Sequence, residues 1–110
     1  MFVHMARSSY RSAVILLLIW AIATAVDMGK PFHIDDAFHL EMAQWVEMHP
    51  GQPMSGTINW GSGLVPMHTA NQPPGFFYPM ALVGHFFGYT TTAMHLLRSL
   101  FSLLAIVCFY

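Results

Sequence analysis

Asp35 and Asp36 are the residues of this chain whose types and spacing best suit acid–base chemistry. They stand side by side in residues 31–50, PFHIDDAFHLEMAQWVEMHP, with Glu41 and Glu47 further on. This stretch holds four of the chain's five acidic residues. A carboxylate pair at a membrane surface can take a proton or bind a cation. Aspartate at the start of a helix can also simply cap free backbone N–H groups. The pattern alone leaves both readings open.

The elements that must position the pair follow from composition. The chain has 110 residues, 55% of them hydrophobic and only 8% charged. A soluble domain carries about 25% charged residues, so this composition points to a membrane protein. Net charge is −1, and no basic surface suggests a nucleic-acid partner. The single cysteine, Cys108, has no internal disulfide partner, and its apolar neighbours suit a packed or lipid-facing thiol. Seven histidines are scattered along the chain. None forms the close pairs of a zinc site, so no metal ligands are assigned.

Three apolar segments frame the acidic stretch. Residues 12–26 carry no charge, and a first transmembrane helix is predicted at about 10–28. Arg7 and Arg11 precede it and Asp27 follows, which orients the N-terminus to the cytoplasm. A basic start, an apolar run and Ala23-Thr24-Ala25 also resemble a cleavable signal peptide. A second transmembrane helix is predicted at about 73–88, short for a crossing, with Pro73 or Pro74 in its first turn. A third is predicted at about 93–110, with Arg98 near its start snorkelling to cytoplasmic headgroups. Residues 88–92 between them read as a tight turn with threonine hydroxyls available to cap. The chain stops inside an apolar run, which predicts an N-terminal piece of a larger protein.

The external loop, about 29–72, carries the candidate chemistry. Residues 36–48 read as an amphipathic helix, with Phe38, Met42 and Trp45 at i, i+4 and i+7. That stripe either rests in the membrane interface or packs on neighbouring helices. Residues 49–71 read as loop, because their glycines and prolines interrupt every helical or strand pattern. The fold class is therefore an all-α membrane protein. It has about three transmembrane helices and a juxtamembrane amphipathic helix in the first external loop.

Two motifs in this order resemble a known family. Ile34-Asp35-Asp36-Ala37-Phe38-His39-Leu40-Glu41-Met42-Ala43 resembles the acidic pair that opens a juxtamembrane helix in the GT-C glycosyltransferases. Asn71-Gln72-Pro73-Pro74-Gly75-Phe76-Phe77-Tyr78 resembles their His-Pro-Pro-aromatic entry to the next helix. The nearest branches are the dolichyl-phosphate-mannose protein mannosyltransferases and bacterial relatives such as the lipid A aminoarabinose transferases. Two departures stand out: Asp36 replaces the usual glutamate, and Gln72 replaces the usual histidine.

The resemblance implies a partial GT-C fold in the bacterial inner membrane, with residues 29–72 on the external face. It implies an inverting transfer of a sugar from a polyprenyl phosphate, with membrane lipid and the missing C-terminal remainder as partners. Asp35 would be the general base, and Asp36 would position the acceptor or shape the local field. Glu41 and Gln72 would contact substrate. Neighbouring carboxylates repel, which raises one pKa of a pair and helps a base near neutral pH. Some members need a divalent cation, and the pair could supply oxygen ligands to magnesium or manganese. Lys30 and Arg98 are the candidates for the lipid phosphate, with Arg98 expected on the cytoplasmic side. These 110 residues alone are expected to be inactive, because the family builds its donor cavity from many more helices. The alternative is a small non-catalytic membrane protein whose external loop binds a partner. A permease fragment would instead carry ionisable residues within its spans.

Overall fold

The computed structural model describes residues 2–70 and 72–110. Asn71, which opens the second motif, lies outside the described residues. The chain is mostly helical: α1 (Phe2–Met28), α2 (Ile34–Met48), α3 (Phe77–Phe87) and α4 (Thr91–Phe109). Strands β1 (Thr57–Trp60) and β2 (Gly63–Pro66) lie between α2 and α3, followed by short 3-10 turns at Met67–Ala70 and Pro74–Phe76. The residues sort into two compact units. One takes in the chain up to Lys30 together with His95–Tyr110, and the other is Pro31–Met94.

Two helices are long and apolar enough to cross a membrane, at Tyr10–Met28 and Thr91–Phe109. Each has 19 residues, close to the ~20 that a crossing needs. The third span expected at 73–88 does not reach that length. Its helix, α3, has 11 residues and measures about 16 Å, against ~30 Å of hydrocarbon. Pro74 and Gly75 are taken up in the preceding 3-10 turn, and Gly88 ends the helix at φ 76°, where a side chain would be strained.

In the first unit, polar side chains tie α1 to α4. Trp20 donates its indole N–H to the Ser99 carbonyl at 2.9 Å, and the Thr24 and Ser99 hydroxyls share a hydrogen bond. Asp27 pairs with Lys30 at 3.2 Å and also with Arg98. Arg98 therefore sits level with the C-terminal end of α1, not at the opposite end expected from the sequence. The competing attraction is the opposite charge of the partly exposed Asp27 carboxylate.

The second unit is built on the stripe of α2. Phe38, Met42, Ala43 and Val46 are buried, as are Phe77, Met80 and Ala81 of α3. Ile58 of the hairpin and Met67 after it complete the core. The stripe thus packs on protein and does not rest in the membrane interface. Trp45 lies at its margin and covers Gly56, where a Cβ would come 2.5 Å from the indole Cδ2. Only glycine lets the chain pass beneath that ring.

The strand pairing corrects the expectation of loop over residues 49–71. Ile58 faces Val65 and Trp60 faces Gly63 in an antiparallel hairpin. Gly61, at φ 69°, opens its two-residue turn. Thr57, Ile58 and Trp60 are strand formers standing before Gly-Ser, which is a hairpin signal concealed among the glycines and prolines.

Helix α2 begins two residues earlier than predicted and is capped by His33. The Asp36 carboxylate accepts from the His33 backbone N–H at 2.6 Å, as in a capping box. Thr90 caps α4, its hydroxyl accepting from the Ala93 N–H at 3.2 Å, in line with the sequence reading of that turn.

Candidate functional site

A cleft of about 320 Å³ opens in the second unit. Asp35, Phe38, His39, Trp60, Ala70 and Gln72 line it. Asp35 comes from the first turn of α2, and Phe38 and His39 come from the next turn. Trp60 is the last residue of β1, set there by the hairpin turn. Gln72 stands just before Pro73, where the chain is extended and about to enter α3.

The wall of the cleft is aromatic. The Phe38 ring meets Trp60 edge-on at 4.8 Å between centroids, and His39 at 5.3 Å. The other side of His39 rests at 5.9 Å from the buried Phe77. Edge-on pairs of this kind favour one fixed arrangement of rings. Trp60 remains 42% exposed, so part of its surface is accessible from the cleft that it lines. The Asp35 carboxylate is also largely exposed, 3.6 Å from Nδ1 of His33.

The four sequence-predicted site residues separate into two groups. Asp35 and Gln72 meet in the cleft. Asp36 and Glu41 do not line it: Asp36 holds the start of α2, and the Glu41 carboxylate accepts from the Asn59 backbone N–H at 3.1 Å. Glu41 thus fastens the hairpin to α2. Because Asp36 turns back to His33, the adjacent carboxylates do not present a shared ligand set to magnesium or manganese. Among the described residues, no three His, Cys, Asp or Glu side chains form a group able to hold a metal. His39 and Trp60 escaped the sequence reading of the site. His39 had a usable signal, since it lies one turn after Asp35 on the same helix.

A second polar cluster ties α2 to the end of α3. The Glu47 carboxylate accepts from the Tyr89 hydroxyl at 2.6 Å and meets His85 Nδ1 at 2.9 Å. Tyr89 packs over Gly84, where any Cβ would run into its ring. The Tyr89 hydrogen bond, then the one to His85, holds the Glu47 carboxyl below its usual value, against a smaller opposing effect of desolvation. Burial, then the Glu47 hydrogen bond, pushes the Tyr89 phenol up. The Glu47 contribution to stability is present above the ordinary glutamate pKa and is lost as pH falls through the lowered folded value. Tyr89 behaves oppositely: its contribution is present below the ordinary tyrosine pKa and is lost as pH rises through the raised folded value. Glu47→Gln is therefore expected to reduce both the acid-side and the alkaline-side dependence of unfolding. Denaturant melts from pH 3 to pH 11 check this. A variant that keeps the wild-type profile would contradict the assignment.

Comparison with protein-family models, with curated proteins and with solved structures finds no match.

Proposed function

We propose that this chain is part of an inverting membrane glycosyltransferase, and that the Asp35 cleft holds the reacting sugar. Asp35 takes the proton from an acceptor hydroxyl as that oxygen attacks the anomeric carbon. The bond to the polyprenyl phosphate breaks, and the lipid phosphate leaves with the electron pair. Asp36 acts indirectly, by fixing the helix start that carries Asp35.

One observation supports this reading most. The two motif segments, 34–43 and 72–78, supply Asp35 and Gln72 to a single cleft walled by aromatic rings. A carboxylate and an amide can hydrogen-bond sugar hydroxyls. The C–H face of a sugar ring carries partial positive charge and suits the negative face of an indole. The membrane setting is supported by α1 and α4, which are long and apolar enough to cross. In the proposed orientation the N-terminus is cytoplasmic, and residues 29–72 lie outside.

Trp60→Ala tests the cleft as a sugar site. It is expected to raise KM for the sugar-bearing substrate about tenfold, with kcat little changed. Steady-state transfer in native membranes measures this. An unchanged KM would count against the cleft.

A second reading, a non-catalytic membrane protein whose loop binds a partner, draws on Asp36 and Glu41. Both serve the fold through backbone contacts. It differs from the first in giving Asp35 no role in any transfer rate.

A further inference from the structure

The apolar character of α3 continues around the helix, beyond the face that packs on α2. Phe77, Met80, Ala81 and Gly84 form the buried face. Leu82, Val83 and Phe86 lie on the opposite side, and Leu82 and Phe86 are 61% and 69% exposed. Phe87 beside them is 74% exposed. No residue of α3 carries a fixed charge. Its polar atoms gather along the α2 edge, where Tyr78 donates to the Pro50 carbonyl at 2.8 Å and His85 meets Glu47. A helix that is hydrophobic all round belongs in a core or in lipid.

We propose that this outer face of α3 binds the lipid bilayer, with the helix lying in the interface plane. Chain continuity supplies the occupant. Three residues, 88–90, separate α3 from α4, which has spanning length. Three extended residues reach only about 10 Å. Where α4 enters the membrane, the C-terminal end of α3 lies within about 10 Å of that entry point along the chain. Its own length of about 16 Å is too short to cross. An interfacial helix instead buries one apolar face about 5–10 Å into the headgroup and acyl boundary and keeps its polar groups along the rim. Helix α2, the amphipathic helix of the sequence, cannot take this position, because its stripe is spent on the core. This proposal is independent of sugar transfer.

Spin labels on the full chain in liposomes test it. Cys108 is the chain's one cysteine, so Cys108→Ser gives a clean background. Labels are placed through Leu82→Cys, Phe86→Cys and, as a water-exposed control, Gln44→Cys. Collision with oxygen, which partitions into lipid, is compared with collision with a water-soluble nickel chelate. The expected result is oxygen-dominated collision at 82 and 86, at matching depths of about 5–10 Å, and nickel-dominated collision at 44. Nickel access at 82 and 86 would overturn the proposal. So would shielding from both reagents, which would mean that a second copy or another segment of protein covers the face. A depth difference of about 6 Å between 82 and 86 would indicate a crossing helix and overturn it as well. Should Leu82→Cys fail to reconstitute, Val83→Cys reads the same side of the helix.

Discussion

Replacing Phe77 with alanine is expected to destabilise the unit of residues 31–94 by about 3–5 kcal/mol. Phe77 is only 1% exposed and is the first residue of α3. It fills the space between that helix and α2, where Phe38, Met42 and Val46 are also buried. Removing the ring forfeits its burial and leaves a cavity that two helices joined through a hairpin cannot easily close. The effect extends to the cleft, because the ring beside Phe77 is that of His39. On the proposed function, loss of Phe77 should therefore weaken sugar binding as well as stability. Denaturant unfolding of the chain in micelles measures the first effect. Phe87→Ala is the matched control, since Phe87 lies 74% exposed outside the core and should cost far less in micelles. Equal costs for the two variants would contradict this account of the core.

The second large effect concerns Asp35. Asp35→Asn keeps the size and most of the hydrogen-bonding capacity of the side chain but removes its basicity. A general base contributes about 10²–10⁴-fold to a rate, so transfer should fall by that factor. KM should change little, because the amide still reaches the same hydroxyls. Stability should also hold, because the capping contacts of α2 run through His33 and Asp36. By contrast, Asp36→Ala should cost about 1 kcal/mol of stability through the lost cap. On the proposed function the adjacent carboxylates have separable roles, Asp35 in the reaction and Asp36 at the helix start, where its carboxylate accepts from the His33 N–H.

Parts of this organisation are legible in the residues themselves. Long uncharged runs signal α1 and α4 directly, because a bilayer demands apolar length and little else. The period of Phe38 and Met42 marks the inner face of α2, and the structure buries both residues. What covers that face is not legible, since periodicity cannot tell lipid from another helix. The hairpin was obscured because Gly61 and Gly63 read as breakers, whereas Gly61 provides the positive φ that the turn needs. Contacts between distant residues leave almost no local signal. Glu47 and His85 are 38 positions apart, and nothing in either neighbourhood announces the other. The same is true of Asp27 and Arg98. The meeting of Asp35 with Gln72 was suggested by two motifs in a familiar order, not by their spacing. His39 and Trp60 join them only once α2 and the hairpin have folded together.

The most direct test is sugar transfer measured in native membranes from cells whose own gene carries Asp35→Asn or Asp36→Ala. The donor is a radiolabelled sugar on polyprenyl phosphate, and the readout is label in endogenous acceptor. Thermal unfolding of each variant is measured alongside. The account predicts a loss of at least about 100-fold for Asp35→Asn at unchanged stability. It predicts a less stable but still active protein for Asp36→Ala. Transfer at the wild-type rate by Asp35→Asn would remove the base from the mechanism and leave the cleft with a binding role alone.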